Sequence, residues 1–565
     1  MNRTSPPIGS KTKRPLGLCL ASSLVSAFAL FVACDDDAPV VRPDPAPKDA
    51  ATTDVQPAPD AATSSDVTVA TDTGPIIGTE SNGVRTFLGI PYAAPPVNAR
   101  RWKAPEAIRW SEPRPAKSYG PRCFGVSLLD SSAVRSGASE DCLSLNIWSP
   151  AGASAKPVLL WIHGGASIDG TSGDGPGGGY PGATLASTGD VVVVSINFRL
   201  GALGVLAIPS ADGGGNLALL DQQLALRWVQ RNIAAFGGDP AKVTIAGNSS
   251  GAQAVCLHGT MPSSQGLFRG LLAQSGNCDG VQTRAQAAAT ATRLAGAWGC
   301  TGSRGAGTED GGAALDEACL RALPAETIVR GNTSNAFSSI VDGTLVPVSP
   351  RAALAAGTFA KVPILTGFNA NEGLFFTDGV FGALPLVSPS DYTTALQLVF
   401  GPLAPVLEGE YPLAQYGGDP RTALAALIGD GTFECGTRHL AASSSSPVFA
   451  YRFDHAPQLA TSKPVLAMHT VELPFVWGAP LPWTWWQQTS AGVPSTPPEL
   501  ELARRVKNYW TSFVRTQNPA AAGAPEWPAW SASSPRTMVL SDSARLTELP
   551  ANAHCAFWDR LNGGT

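Results

Sequence analysis

The segment from residue 242 to residue 255 constrains the fold more than any other part of the chain. Residues 242–246 form a short apolar run of β type, the motif Gly-Asn-Ser-Ser-Gly occupies 247–251, and residues 252–255 have the composition of a helix. A G-x-S-x-G motif between a strand and a helix predicts a sharp turn that lifts the central serine above the edge of a sheet. The flanking glycines permit close packing there. We therefore expect Ser249 to be a nucleophile, with a helix N-terminus directed at the reacting group.

Other apolar runs predict the sheet that this turn belongs to. Runs of strand type lie at 158–162, 191–196, 243–246, 363–366 and 448–452, and helical stretches such as 217–232 lie between several of them. This alternation predicts an α/β fold with a parallel or mixed sheet that is covered on both faces. Hydrophobic residues make up 44% of the chain and charged residues 15%, which allows a large core. Because nothing resembling a linker interrupts residues 66–565, we predict one large domain with lid-like insertions.

A glycine-containing loop follows the predicted strand at 158–162. Its sequence is His163-Gly164-Gly165-Ala166, about 85 residues before Ser249. Acyl transfer to a serine needs backbone N–H groups directed at the developing oxyanion, and a loop without bulky side chains lets the backbone approach. A simple turn after a strand is the alternative. The G-x-G-x-x-G match at 173–178 contains a proline and no helix follows it, which excludes a nucleotide site.

The first 33 residues have the features of an export signal. Lys11, Lys13 and Arg14 precede an uncharged, mostly apolar stretch at 16–33, and Cys34 follows it directly. Small residues just before a cysteine resemble the bacterial lipoprotein cleavage box, which predicts a lipidated Cys34 at the new N-terminus. An ordinary signal peptide or an uncleaved anchor is the alternative. Either reading predicts an exported protein.

The composition that follows fits a protein outside the cytoplasm. Residues 34–65 are rich in Asp, Ala, Pro and Thr, which predicts a disordered tether. Eight of the ten cysteines lie beyond the leader, as expected in an oxidising compartment. The absence of a C-x-x-C motif argues against structural zinc, and we predict no metal. A net charge of −5 gives no basic surface for nucleic acid.

Several further motifs resemble one known family, the type-B carboxylesterases, which include cholinesterase-like and para-nitrobenzyl-esterase-like enzymes. The matching segments are Phe-Leu-Gly-Ile-Pro-Tyr-Ala at 87–93, Glu-Asp-Cys-Leu-Ser-Leu-Asn at 140–146 and Phe-Gly-Gly-Asp-Pro at 236–240. The resemblance covers residues 66 to about 560 and implies an α/β-hydrolase fold. It also implies hydrolysis of carboxylic esters without a cofactor.

The resemblance also implies the partners of Ser249. The chemistry alone requires the order serine, acid, histidine. The residues alone leave the histidine open among those downstream of Glu372, which are His439, His455, His469 and His554. The family pattern places the acid at Glu372 and the histidine at His469. It places the oxyanion donors at the N–H groups of Gly165, Ala166 and Ser250, and a supporting serine near the histidine at Ser275.

The same resemblance implies three disulfides and two ion pairs. The disulfides join Cys123 to Cys142, Cys300 to Cys319 and Cys435 to Cys555, whereas Cys256 and Cys278 are left without an implied pairing. The ion pairs are Arg101–Glu140 and Arg199–Asp221. The chain departs from the family at three positions, with Asn248 for Glu, Ala166 for Gly and Thr470 for Gly. The added Cβ of Ala166 affects the expected substrate range rather than the mechanism.

These observations predict an exported, membrane-tethered serine esterase acting on a small-molecule ester. The alternative is a catalytically inactive adhesion or binding module on the same fold. The expected first disulfide loop holds no Trp or Tyr between residues 124 and 141, which predicts a general esterase rather than a cholinesterase. Tryptophans follow His469 at Trp477, Trp483, Trp485 and Trp486. They either line a pocket or pack in the core and lid.

Overall fold

The computed structural model describes residues 64–173, 179–276, 278–302, 315–332, 337–382, 384–457, 466–479 and 493–563. The predicted leader at 1–33, Cys34 and nearly all of the tether lie outside these ranges, as do Trp483, Trp485 and Trp486. Within these ranges no helix is both long enough and apolar enough to cross a membrane.

The predicted strands belong to a larger set of extended segments. In chain order they are β1 Ser65–Thr71, β2 Gly74–Ser81, β3 Val84–Pro91, β4 Arg114–Pro115, β5 Arg122–Cys123, β6 Val126–Ser127, β7 Asp130–Val134, β8 Ala138–Ser139, β9 Ser144–Pro150, β10 Lys156–Ile162, β11 Val192–Ile196, β12 Gly238–Asn248, β13 Gly270–Gln274, β14 Gln282–Thr283, β15 Ile340–Val341, β16 Ile364–Asn369, β17 Val448–Phe453, β18 Arg536–Leu540 and β19 Arg545–Glu548. β12 begins five residues before the predicted run because Gly238 pairs with Lys156 across an irregularity in the register.

Helices occupy much of the sequence between the strands. They are α1 Ala183–Gly189, α2 Gly201–Gly204, α3 Leu217–Asn232, α4 Ser250–Thr260, α5 Arg284–Ala297, α6 Glu317–Ala322, α7 Ala325–Val329, α8 Pro350–Ala355, α9 Pro389–Phe400, α10 Ala404–Glu410, α11 Pro420–Gly429, α12 Cys435–Ser443, α13 Leu473–Trp477, α14 Pro497–Thr516 and α15 Cys555–Leu561. α3 has the bounds of the predicted helix. α14 starts with a capping box, in which the Thr496 hydroxyl accepts from the Glu499 N–H and the Glu499 side chain accepts from the Thr496 N–H.

One mixed sheet of thirteen described strands organises the chain. Its order is β1-β2-β3-β9-β11-β10-β12-β13-β16-β17-β18-β19, with β4 beside β2. The seven strands from β11 to β18 in this order are parallel. Outside this block, the strands of the main order pair antiparallel, whereas the short β4 pairs parallel with β2. The predicted α/β class with a mostly parallel sheet is therefore confirmed.

Alternate residues of each central strand enter two different cores. In β10, Val158, Leu160 and Ile162 are buried in a core that includes α3 and α4. Leu159 and Trp161 belong to a second core, which includes α1, α13 and α14. Side chains of a strand point alternately to the two faces of its sheet, so an apolar run with no polar face requires helices on both sides.

A helical layer between β16 and β17 has a core of its own. α9 to α12 contribute buried side chains such as Tyr392, Leu396 and Leu427 to it. Trp558 of α15 packs into the same cluster, and the Cys435–Cys555 disulfide joins α12 to α15.

The carboxyl ends of the parallel strands meet at one edge. Ile162 of β10 lies opposite Gly247 of β12. Asn248 lies opposite Gln274 of β13, which in turn lies opposite Gly367 of β16. Ligands of open α/β sheets bind at such an edge, outside the carboxyl ends of the strands.

Candidate active site

Ser249 occupies a strained turn between a strand and a helix. β12 ends at Asn248, α4 begins at Ser250, and Ser249 between them has φ 58° and ψ −126°. Non-glycine residues rarely adopt this conformation, and it persists only where neighbours enforce it. The Ser249 N–H donates to the Gln274 carbonyl at 2.9 Å, and the Ser249 carbonyl accepts from the Gln253 N–H at 3.0 Å. The side chain is half-buried. The predicted strand–turn–helix unit is present, and it is centred on this serine.

The two glycines of the motif let α4 contact the end of β10. A Cβ on Gly251 would lie 2.2 Å from the Ile162 carbonyl oxygen and 2.7 Å from that of His163. A Cβ on Gly247 would lie 2.5 Å from the backbone of Gly251. Because this packing is so close, the loop after β10 lies beside the serine. A Cβ on Gly164 would approach the Ser249 Cβ to 3.1 Å.

The loop after β10 has three consecutive residues with positive φ. The φ values are 121° at Gly165, 52° at Ala166 and 61° at Ser167. The Ser167 N–H donates to the Ser250 hydroxyl at 3.2 Å, and the N–H groups of Ile168 and Asp169 each donate to the Gly165 carbonyl at 3.0 Å.

The same loop and the start of α4 leave three N–H groups near Ser249 without a protein acceptor. Within the described ranges, no hydrogen bond uses the N–H of Gly165, Ala166 or Ser250. The first N–H groups of a helix have no acceptor inside the helix, which accounts for Ser250. All three groups can therefore donate to a bound ligand.

Glu372 and His469 form a buried hydrogen-bonded pair. His469 Nδ1 lies 2.7 Å from Glu372 Oε2, and the two side chains are 3% and 1% exposed. The other carboxylate oxygen, Oε1, accepts from the Asn369 N–H at 2.7 Å. Glu372 follows the end of β16, and His469 precedes α13. A carboxylate at Nδ1 sets the ring orientation and leaves Nε2 for another partner.

The structure does not join His469 to Ser249 by a hydrogen bond within the described residues. Such contacts are often long in unliganded enzymes and tighten when substrate binds. The other three downstream histidines have different partners. His439 contacts Arg351, His455 contacts Asp542 and His554 contacts Glu410. Glu372 thus pairs with His469 and with none of these three.

Ser275 is buried at the end of β13 and has φ 49°. Its N–H donates to the Gly367 carbonyl at 2.8 Å. Its hydroxyl has no hydrogen-bond partner in the part of the chain that the structure describes, so no hydrogen bond links it to His469. The expected support of the histidine by Ser275 stays a prediction.

A second buried carboxylate, to which the sequence motifs assign no role, lies beside the pair. Glu472 Oε1 accepts from Asn248 Nδ2 at 2.8 Å and from Gln274 Nε2 at 3.1 Å. Its Oε2 accepts from Asn369 Nδ2 at 2.6 Å. Burial raises the pKa of Glu472, and the nearby Glu372 carboxylate raises it further. The available signal was an acidic residue three positions after the histidine in an otherwise apolar segment.

Aromatic rings surround the histidine. The ring centroids of Phe375, Phe376 and Phe433 lie 5.5, 5.6 and 4.6 Å from that of His469. Trp477 is buried and packs at 5.0 Å against Trp161, in the core on one face of the sheet. For Trp477, core packing is therefore the correct interpretation of the tryptophan cluster.

Four disulfides are present in the structure. They join Cys123 to Cys142, Cys256 to Cys278, Cys300 to Cys319 and Cys435 to Cys555. The family resemblance implied no pairing for Cys256 and Cys278, which the structure joins. Both expected ion pairs are also present, Arg101–Glu140 and Arg199–Asp221, each at 2.6 Å. Several disulfides in one chain are typical of exported proteins.

The sheet edge thus combines a serine hydroxyl, an imidazole paired with a carboxylate, and unused N–H donors. These groups are the components of acyl transfer to a serine. In the described ranges, no three side chains of His, Cys, Asp or Glu form a group that could hold a metal ion.

Comparison with known proteins identifies the family. Residues 65–558 match the model of the carboxylesterase family. The chain is 32% identical to an acetylcholinesterase of Bungarus fasciatus over 87% of its length and 86% of that protein. It is 35% identical to a fumonisin B1 esterase of Sphingopyxis macrogoltabida over 81% of its length and 83% of that protein. It is also 35% identical to an acylcarnitine hydrolase of Rattus norvegicus over 79% of its length and 81% of that protein.

A solved structure agrees with these relatives. A thermophilic PNB esterase superposes with a TM-score of 0.72 and 31% sequence identity, covering 87% of this chain and 99% of its own. This similarity confirms the predicted α/β-hydrolase fold. The chain therefore belongs to the carboxylesterase family, in its type-B group, and is a carboxylic-ester hydrolase.

Proposed function

We propose that the chain hydrolyses carboxylic esters through an acyl-enzyme formed on Ser249, with His469 as the base and Glu372 as its partner. The observation that carries this proposal is the buried contact between His469 Nδ1 and Glu372 Oε2 at 2.7 Å. This pair lies at the sheet edge that also holds the strained Ser249 turn.

In the first half of the reaction, the Ser249 hydroxyl attacks the ester carbonyl carbon. His469 Nε2 takes the hydroxyl proton as the new C–O bond forms, then gives it to the alkoxy oxygen as the bond between that oxygen and the carbonyl carbon breaks. The products are the alcohol and an acyl-Ser249 ester. In the second half, water loses a proton to His469 and attacks the acyl carbon. The carboxylic acid leaves, and the proton returns to Ser249.

The remaining groups stabilise the charges that develop during the reaction. Glu372 orients the imidazole and stabilises the imidazolium that forms in both halves. The N–H groups of Gly165, Ala166 and Ser250 donate to the oxyanion of each tetrahedral intermediate. Loss of one such donor typically lowers kcat about 100- to 1,000-fold. No metal or organic cofactor takes part in these steps.

The test of this assignment is Ser249→Ala, with hydrolysis of p-nitrophenyl esters as the readout. We expect kcat to fall by several orders of magnitude, because this change removes the nucleophile but no packing. Asn371→Ala, on the half-buried turn before Glu372, is a nearby control that should retain most activity. A folded Ser249→Ala protein with more than a few per cent of wild-type activity would overturn the assignment. An inactive wild-type protein that binds esters without turnover would instead favour an adhesion or binding module.

We further propose that neutral esters are hydrolysed at least as well as choline esters of the same acyl group. The 123–142 disulfide loop has no Trp or Tyr to place against a quaternary ammonium. The test compares kcat/KM for a choline ester with that for its uncharged 3,3-dimethylbutyl isostere. A clear preference for the choline ester would contradict the proposal.

For location, we propose that Cys34 carries a lipid and attaches the esterase to a bacterial membrane. A thiol-linked lipid together with an N-terminal acyl chain gives stable anchoring, whereas one chain alone binds marginally. Cys34→Ala should move the protein from the membrane fraction to the soluble fraction. If the variant stays in the membrane fraction, the apolar stretch at 16–33 is an uncleaved anchor instead.

A further inference from the structure

Asp169 carries a fully buried carboxylate three residues after Ala166. Its side chain is 0% exposed, and it faces two arginines. Arg135 Nε lies 3.0 Å from Oδ1 and 2.9 Å from Oδ2, and Arg135 Nη2 also donates to Oδ2. Arg122 Nη2 lies at 3.4 Å from Oδ1. A buried carboxylate needs such partners, because desolvation of an unpaired charge costs several kcal/mol.

The backbone of Asp169 closes the loop that holds the oxyanion donors. Its N–H donates to the Gly165 carbonyl at 3.0 Å, across Ala166, Ser167 and Ile168. Ala166 and Ser167 have left-handed φ angles, which residues other than glycine adopt only at a cost. A conformation of this kind persists where the surroundings enforce it. The contacts of Asp169 are therefore part of what keeps the Gly165 and Ala166 N–H groups in place.

Arg135 belongs to a different segment, the disulfide loop between Cys123 and Cys142. Its own N–H donates to the Gly125 carbonyl at 3.0 Å. Val126, which follows Gly125 in the sequence, donates from its N–H to the Ile168 carbonyl at 2.9 Å. A Cβ on Gly125 would lie 2.5 Å from the same Ile168 oxygen. We call residues 163–169, which follow β10 and include the proposed oxyanion donors, the oxyanion loop. The disulfide loop thus contacts two consecutive residues of the oxyanion loop, through a backbone hydrogen bond at Ile168 and an ion pair at Asp169.

We infer that Arg135 is a positioning residue for ester hydrolysis, which acts through Asp169 to hold the oxyanion loop in its donating conformation. The inference rests on the proposed function, because it assigns the oxyanion to the Gly165 and Ala166 N–H groups. These donors contact the transition state more strongly than the bound ester, so their displacement lowers kcat rather than raising KM. A displacement of about 1 Å is enough for a 100-fold loss.

The experiment compares Arg135→Met with Arg135→Lys and with a control ion pair. Arg135→Met keeps much of the apolar stem and removes the guanidinium. We expect kcat to fall about 10- to 100-fold while KM changes less than about threefold. Arg135→Lys should recover part of the loss, because an ammonium supplies the charge without the bidentate fork. The control, Arg231→Met, removes the part-exposed Arg231–Asp72 pair and should leave kcat within about twofold.

A second readout separates positioning from a general loss of structure. Affinity for a trifluoromethyl ketone, whose serine adduct carries an oxyanion, should fall in Arg135→Met by about the same factor as kcat/KM. Affinity for the carboxylate product should stay within about threefold. If Arg135→Met does not fold, the double variant Arg135→Met/Asp169→Leu removes the Arg135–Asp169 ion pair as a whole and should give the same loss of kcat.

The inference is overturned if the folded variant keeps kcat within about twofold of wild type, or if the change appears in KM alone. An inactive Ser249→Ala protein together with an unaffected Arg135→Met protein would reject this inference and leave the proposed function intact. A fully active Ser249→Ala protein would reject the proposed function itself, whatever the result at position 135.

Discussion

Several residues around the proposed reaction centre have strained backbone conformations. Ser249, Ala166, Ser167 and Ser275 are non-glycine residues with positive φ, and all four follow the carboxyl ends of central strands. Each such residue costs on the order of 1–3 kcal/mol. The glycines beside them, Gly247 and Gly251, keep the backbone close enough to enforce these conformations.

The close packing at Gly251 yields a first prediction. In Gly251→Ala the new Cβ would meet the carbonyl oxygens of Ile162 and His163, so β10 and the oxyanion loop have to shift. We expect a loss of about 1–3 kcal/mol in the free energy of unfolding, and a fall in kcat of at least about tenfold. Gly296→Ala, in α5 with open space around it, is the control and should be neutral or gain about 0.5–1 kcal/mol. Equal effects in both variants, measured by urea unfolding and ester hydrolysis, would contradict the packing argument.

The second prediction concerns Glu472, whose oxygens accept from three side-chain amides. Glu472→Gln keeps the shape but replaces one acceptor oxygen with a donor, which leaves an amide N–H facing another donor. A buried unpaired donor costs about 1–3 kcal/mol, so the melting temperature should fall and activity should fall with it. Glu501→Gln, on the surface of α14, should leave activity unchanged. A Glu472→Gln protein of wild-type stability would show that the network tolerates a neutral side chain.

At the scale of elements, the helical layer between β16 and β17 connects His469 to a half-buried acid, Asp430. A π-helical turn at Asp430–Glu434 precedes α12 and places Phe433 against His469. Asp430 accepts from the Tyr411 hydroxyl at 3.0 Å and from Asn552 at 2.8 Å. Burial raises the pKa of Asp430 to about 6, with a further contribution from Glu434.

This raised pKa predicts a pH dependence of stability. Below pH 3.8, the ordinary pKa of the group, both states are protonated. Between 3.8 and about 6 the unfolded chain loses this proton while the folded chain keeps it, so stability falls as the pH rises through that window. Asp430→Asn should remove this part of the slope. The measurement is chemical unfolding of both proteins at several pH values, and identical curves would contradict the assignment.

The central strands were the elements most predictable from the sequence. The periodicity and apolar content of the sequence identified five central strands and α3. The strands could be identified because a strand buried on both faces has an uninterrupted apolar run. The sequence predicted lid-like insertions without locating them. α9, α10 and α11 pack mainly on one another, whereas α12 also packs against the sheet through Leu440 and Ala441. The contact of Asp169 with Arg135 was not predictable, because the two residues meet through the tertiary arrangement of two loops.

At the scale of the whole molecule, the Cys435–Cys555 disulfide closes the longest loop of the four, with a sequence separation of 120 residues. The chain-entropy argument assigns such a loop about 5 kcal/mol of stabilisation, against about 3 kcal/mol for a separation near 20. Replacing both cysteines with alanine should therefore lower the melting temperature more than the same change at Cys300 and Cys319, whose separation is 19. A larger loss from the shorter loop would contradict this ranking.

The sequence and the fold agree on the family, whereas the roles of Ser249, Glu372 and His469 rest on motif and geometry. The G-x-S-x-G motif predicted Ser249 as the nucleophile and the order serine, acid, histidine along the chain. The family pattern selected His469 among four histidines, and the structure pairs that histidine with Glu372. Residues alone left this choice open, because a histidine and its acid can lie far apart in sequence.

The most direct measurement of the central claim is labelling with an organophosphonate that carries a p-nitrophenoxide leaving group. A serine activated by a histidine displaces p-nitrophenoxide and forms a stable phosphonate ester. We expect one phosphonate per chain, mapped by peptide mass spectrometry to Ser249, with loss of ester hydrolysis in proportion to labelling and no label in Ser249→Ala. Labelling at another residue, or continued hydrolysis by fully labelled protein, would contradict the account.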